Sequence, residues 1–217
     1  MDRQDCDPIK LHRTYRQFKY VNRAVSGWHR IYARYIRPLA LRMKHCSLLD
    51  IGFGGGDIPW AIHRWSRRDQ IDLNITAIEE DPRALKYVES AIPKLPGLVY
   101  QHASTGELVQ AERRFDFVIS NHLMHHLRQD QLTLLGSQSL RLGKHVIHND
   151  IERGDLAYAL FTLIPAPFFR DSFIVEDGLC SIRRSYSAAE LRAIAPKGFI
   201  VRRHFPYRLL MTNIGTG

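Results

Sequence analysis

Residues 48–57 constrain this chain more than any other stretch: Leu48, Leu49, Asp50 and Ile51 run directly into Gly52-Phe53-Gly54-Gly55-Gly56-Asp57. The apolar run has the length of a buried strand and stops at Gly52, and Pro59 stands where the first turn of a helix tolerates a missing N–H. Strand, glycine turn and helix are therefore expected in that order. Glycines at 52, 54 and 56 remove the Cβ atoms that would hold a ligand off the backbone, and they permit positive φ in the turn. A flat or extended cofactor can then lie close to this sheet edge. A tight strand-to-helix turn is the simplest alternative, but it has no need of four glycines.

Two registers compete for the loop. The dinucleotide fingerprint G-x-G-x-x-G places Gly52 and Gly54 well but asks for a small residue at 57, where this chain has Asp57, a poor neighbour for phosphates. The register G-x-G-x-G preceded by Asp50 resembles motif I of the class I S-adenosylmethionine-dependent methyltransferases, whose cofactor carries no phosphate. Downstream, 73–78 alternates like a strand and ends on Glu79, Glu80 and Asp81, and Pro82 opens a helix with Ala84, Leu85 and Val88 on its apolar side. An acid at the end of a second strand can accept hydrogen bonds from both ribose hydroxyls, and three acids repel a 2′-phosphate. Glu79 follows Gly56 by 23 residues, about one strand-helix-strand unit.

A third segment, Phe115-Asp116-Phe117-Val118-Ile119-Ser120-Asn121-His122-Leu123-Met124-His125-His126-Leu127, is similar to the fourth strand and following turn of the same family. The three motifs keep the family's order and spacing over roughly 45–150. The resemblance implies an α/β fold with a doubly wound, mostly parallel seven-stranded sheet closed by a terminal antiparallel strand. It further implies that Gly52, Gly54 and Gly56 line the methionine part of S-adenosyl-L-methionine, that Asp50 orders the loop, that Glu79 with Glu80 beside it binds ribose, and that the Ser120-Asn121 backbone meets the amino group. Family members often carry an Asp after the third strand to bind adenine. Here 101–104 is Gln101-His102-Ala103-Ser104, which leaves Ala103 and Ser104 as replacements.

Charge is unevenly spread. Residues 1–45 contain eleven Lys/Arg against three Asp/Glu, while the whole chain of 217 residues has a net charge of +9, so the basicity belongs to the N-terminus. Leu11, Tyr15, Phe18, Val21 and Val25 recur at helical intervals, as do Trp28, Ile31, Tyr32, Tyr35, Ile36 and Leu39 after Gly27. A basic, aromatic helical extension over 1–45 is expected ahead of a methyltransferase domain over 46–217. Its readings are a substrate lid, a peripheral contact with an anionic membrane surface, or a solvated face; a nucleic-acid patch is the weakest, since basicity alone makes no RNA enzyme. No apolar run of 18 residues and no signal-peptide pattern occur, and Cys6, Cys46 and Cys180 form no C-x-x-C pair, so a cytoplasmic protein with reduced thiols is expected.

After a helix over 128–142 stopped by Gly143, a fifth strand over 145–148 brings Asn149 and Asp150 to the sheet edge where ligands bind. The stretch 151–186 is too long for a simple connection and reads as an apolar helix, a break at Pro165-Ala166-Pro167-Phe168-Phe169 and a lid. A capping box at Ser187 and Glu190 starts a further helix, and 199–204 with 207–211 reads as the closing strand pair. His122, His125 and His126 are spaced so that a helix starting near 122 would bring them onto neighbouring faces. One of them can serve as a general base, with His148 and Asp150 as a second base-and-carboxylate pair; a metal is not expected without an H-E-x-x-H pattern. The reading is a methyltransferase with a small aromatic or lipophilic acceptor (phenol, quinol or polyketide-like), similar to quinone-biosynthesis methyltransferases. The rivals are a nicotinamide-dependent oxidoreductase, opposed by Asp57 and by the lack of a Tyr-x-x-x-Lys pair, and a nucleic-acid-binding protein.

Overall fold

The computed structural model describes residues 6–163, 169 and 171–214. The break expected at Pro165-Ala166-Pro167-Phe168 lies outside them. In chain order the elements are α1 (Pro8–Val25), α2 (Trp28–Ile31), a π-helical turn (Tyr32–Ile36), α3 (Arg37–Ala40), β1 (Cys46–Ile51), α4 (Asp57–Arg68), β2 (Leu73–Glu79), α5 (Pro82–Ala91), β3 (Leu98–His102), α6 (Thr105–Gln110) and β4 (Phe115–Asn121). There follow a short 3₁₀ turn (Met124–His126), α7 (Gln129–Leu142), β5 (Gly143–Ile151), α8 (Asp155–Leu163), α9 (Ile174–Arg184), α10 (Ala188–Ile194), β6 (Ile200–His204) and β7 (Arg208–Ile214). No helix among the described residues is long and apolar enough to cross a membrane.

The seven strands are ordered β3-β2-β1-β4-β5-β7-β6, parallel except for β7, which runs antiparallel to both neighbours. Strand alternation divides the core between two faces. Leu48, Phe117 and Ile119 pack with Trp28, Ile31, Tyr32 and Ile62, whereas Leu49 and Val118 pack with Leu108, Leu135 and Leu142. The aromatic stripe of α2 and the π turn is thus core, and the basic residues Arg30, Arg34 and Arg37 stay exposed. The order in which strands are added to the sheet reverses between β1 and β4, so the crevice at the carboxyl ends of those strands is where this topology leaves room for a ligand.

Gly143 ends α7 as expected, capping it and at once opening β5 in extended conformation; its need for glycine is packing, since a Cβ there would lie 2.4 Å from Val118 Cγ2. Two local expectations change. The helix expected from 122 does not form. His122 has φ 57°, its N–H donates to the Asn149 carbonyl, and only the 3₁₀ turn follows. The basic helix at 28–39 is interrupted by the π turn ahead of Pro38, which has no N–H to give to the preceding turn.

Candidate active site

The glycine loop is stitched to the sheet by its own backbone: Gly52 N–H and Phe53 N–H both donate to Ile78 O at the end of β2. Gly52, Gly54 and Gly56 all have positive φ, as expected from their lack of Cβ. Their surroundings differ. Gly52 and Gly54 line a cavity with ordinary clearance above them, while Gly56 does not line it; a Cβ on Gly56 would fall 2.7 Å from Ile92 Cδ1 and 2.8 Å from Val88 Cγ1. The expectation for Gly56 is therefore corrected: it lets α4 start against α5, and Tyr100 donates to its carbonyl at 2.8 Å. Gly55 supplies the remaining wall, because α1 crosses so close that Tyr15 O would be 2.8 Å from a Cβ there.

Carboxylates ring this end of the cavity. Glu79 accepts from Gly54 N–H at 3.1 Å with one oxygen and from Glu80 N–H at 2.9 Å and Asp81 N–H with the other, which fixes its side chain across the loop. Burial raises its pKa. Asp50 is buried and its Oδ1 has no hydrogen-bond partner; burial first, then the charges of Asp57 and Glu79, hold its pKa well above the ordinary carboxylate range. Asp57 is pushed up to about 6 by burial, although Asn22 of α1 donates to both of its oxygens at 3.2 and 3.1 Å. Three carboxylates whose charge is costly in the bare protein favour a cation beside them. Glu80 is exposed on the rim. Ala103 and Ser104 are not on the cavity wall: Ala103 packs on the core, and Ser104 caps α6 through Glu107.

At the other end the polar groups come from β4, β5 and β7. His125 Nδ1 donates to Asp150 Oδ1 at 2.8 Å, and its backbone N–H donates to Asp150 Oδ2 at 2.9 Å. Burial opposes the Asp150 charge, but the His125 partner outweighs it and holds the carboxyl well below its usual range. His125 Nε2 is left without a partner. His122 Nε2 accepts from Arg208 Nη1 at 3.1 Å, since a guanidinium only donates, and burial first, then Arg208, drives its pKa well below the usual imidazole value. The ring of His126 lies 4.1 Å from that of His125. His148 does not pair with Asp150; it is turned to the core side and bonds Ser120 Oγ at 2.8 Å, because neighbouring strand residues face opposite ways. The atoms of His122, His125 and Asp150 lie within 4.8 Å of one another, a grouping that could take a cation, but Arg208 already holds His122 Nε2.

One cavity of about 1190 Å³ joins both ends, from Gly52, Gly54 and Glu79 to His122, His125 and His126. Drug-sized ligands occupy sites of about 300–1,000 Å³, so there is room for a cofactor and an acceptor together. Asn121 lines the middle, bonded to Asn22, Asn149 and Arg208. Phe161, Phe169, Ile174 and Ile182 make the far wall apolar. Asn22, Asp57 and Arg208 belong to the site although the motifs do not single them out. Asp57 at a helix start after a glycine loop was the one visible signal.

Residues 49–144 match a family described as a methyltransferase domain. No curated protein matches the chain in sequence. Among solved structures, the plantazolicin methyltransferase BpumL in complex with SAH is similar with a TM-score of 0.61 and 15% identity, over 92% of this chain and 74% of that one. A SAM-dependent methyltransferase from Aquifex aeolicus is similar with a TM-score of 0.52 and 15% identity, over 96% and 98%. The pyocyanin biosynthetic protein PhzM is similar with a TM-score of 0.54 and 15% identity, over 86% and 53%. The residues present suit a phosphate-free cofactor bearing a cation: glycine walls leave the backbone approachable, and Asp50 keeps an orphaned oxygen beside Asp57 and Glu79. At such identities the likenesses carry the fold and the domain match carries the chemistry: residues 49–144 are a methyltransferase domain, set in the fold of the S-adenosylmethionine-dependent methyltransferases.

Proposed function

We propose that this enzyme methylates a small aromatic or lipophilic acceptor at oxygen or carbon, with His125 as general base and Asp150 as the residue that positions it. The observation that carries this reading is that His125, held from behind by Asp150, lines the same cavity as the glycine loop. A carboxylate that holds Nδ1–H leaves the lone pair on Nε2 for the acceptor's proton. His122 is less suited, with its Nε2 already occupied by a cation. The apolar wall from α8 and α9 supports a lipophilic acceptor. Two proteins of similar fold are named for plantazolicin methylation and pyocyanin biosynthesis, which agrees with a small-molecule reading.

In the same proposal Gly52, Gly54 and Gly55 hold the methionine part of the cofactor, Asp50 orders the loop, Glu79 takes the ribose hydroxyls, and the Ser120-Asn121 backbone with Asp57 takes the amino group. When bound, S-adenosylmethionine supplies an electrophilic methyl carbon on a sulfonium. The chain aligns the acceptor, excludes water through α1, α8 and α9, and removes a proton at His125.

Calorimetric titration with S-adenosylmethionine, with NAD and NADP as controls, tests the reading. Saturable binding of S-adenosylmethionine alone is expected, and binding of a nicotinamide cofactor in its place would refute it. Glu79→Ala is expected to weaken that binding about 10- to 100-fold without unfolding the chain, the loss of charge-assisted hydrogen bonds; unchanged affinity would remove the ribose assignment. Affinity also depends on pH. Asp57 loses its charge as pH falls through about 6, so binding of S-adenosylmethionine through its cationic amino group should weaken there, and Asp57→Asn should flatten that part of the profile.

A further inference from the structure

Arg208 opens β7 opposite Ile151, at the carboxyl end of β5, and is 1% exposed. It donates from Nε to Asn149 Oδ1 at 3.0 Å, from Nη2 to Asn121 Oδ1 at 3.0 Å and from Nη1 to His122 Nε2 at 3.1 Å. None of these three acceptors carries a negative charge. Among the described residues no carboxylate oxygen lies within 4.0 Å of the guanidinium, although buried cations are ordinarily paired with an anion. The carboxylate that acts on it from further away is Asp150, whose oxygens are engaged by His125 and by Ile151 N–H. Arg208 and His125 both line the cavity, whereas Asp150 stands behind them.

The balance of charge shifts during turnover. A proton taken up by His125 would put two cations, His125 and Arg208, at the β4–β5–β7 edge beside Asp150, while Asp50, Asp57 and Glu79 stand at the glycine-loop end and Asp177 on α9. An anion on the acceptor completes the count. We propose that Arg208 is an oxyanion site for the acceptor, so that this enzyme selects acids as methyl acceptors: phenols, enols or carboxylic acids ionised at the reacting oxygen or in conjugation with it. The proposal rests on the methyltransfer reading above and narrows its acceptor.

For a phenol the step balances. The hydroxyl proton passes to His125 Nε2, the oxygen lone pair forms the new O–CH₃ bond, and the S–CH₃ pair returns to sulfur, leaving a neutral ether, S-adenosylhomocysteine and a proton that His125 releases to water. Arg208 matches the charge on oxygen before transfer. A protonated amine would meet the same guanidinium as repulsion.

Competitive binding of two isosteres, 2-naphthoate and 2-naphthamide, to the protein saturated with S-adenosylhomocysteine tests this. Saturation with S-adenosylhomocysteine is itself measured first, and its failure would count against the methyltransfer reading and not against the anion site alone. The naphthoate is expected to bind at least about tenfold tighter than the amide, the scale of a charge-assisted hydrogen bond. Arg208→Gln should bring the two affinities together, and Arg208→Lys should retain part of the preference. Arg184→Gln, which removes an exposed arginine from the same cavity, should leave the preference intact. Equal affinities in the wild-type protein, no binding of either compound, a preference that survives in a folded Arg208→Gln, or one lost instead in Arg184→Gln would each overturn the proposal. If Arg208→Gln does not fold, the wild-type pair and Arg184→Gln still decide.

Discussion

His125→Ala is expected to lower turnover by about 10²- to 10⁴-fold, the usual contribution of a positioned general base, while leaving the affinity for S-adenosylmethionine within about threefold. The expectation comes from position. His125 is buried, its Nδ1 is held by Asp150 at 2.8 Å, and its Nε2 has nothing else to bind. Asp150→Asn should fall in the same range, because an amide no longer fixes the ring tautomer or stabilises its charge. His126→Ala should cost far less, since that ring is exposed beside His125 and not behind it. Steady-state release of S-adenosylhomocysteine, with cofactor affinity titrated separately, reads both quantities. Wild-type turnover in His125→Ala would mean that alignment alone suffices and that the pair is a brace for the loop after β4.

Gly56→Val is expected to destabilise the fold by about 3–5 kcal/mol, from a β-branched residue forced to positive φ together with overpacking against α5. Gly56 has φ 72°, and the Cβ would be 2.7 Å from Ile92 Cδ1 and 2.8 Å from Val88 Cγ1. In a domain of this size that loss corresponds to a fall in Tm of about 10 °C. Gly54→Ala makes the control. Its Cβ would meet only Phe18 at 3.8 Å, so its stability cost should be limited to the positive φ while cofactor binding suffers. Thermal unfolding of both variants without ligand separates the two roles, and equal melting temperatures would show that Gly56 is not held by α5.

Much of the fold was legible because its signals are local. The run 48–51, the glycines and Pro59 made β1, the loop and α4 readable, and Pro82 with Ala84 and Val88 did the same for α5. Glu79 was legible as the acid that ends β2, and its bond to Gly54 N–H agrees with a place at the loop. The histidines were legible as a group but not in their arrangement. Spacing treated 122–126 as helix, whereas the Asn149 carbonyl draws the His122 N–H across to β5 and the backbone turns left-handed instead. Ser104 was read as a cofactor contact because of where it falls in the motif, yet its hydroxyl is engaged in capping α6.

The sequence by itself determined the order of strands and helices, the glycine loop and the acid that faces it, because each depends on periodicity and backbone freedom within a few residues. Tertiary structure alone decided which histidine meets a carboxylate, that Asn22 clamps Asp57 across 35 positions, and that Arg208 comes 86 positions along the chain to rest on His122. Such pairings have no sequence period. They follow from strand register, which sets β7 antiparallel beside β5 with Arg208 opposite Ile151, and from the burial that makes each isolated charge there seek a partner.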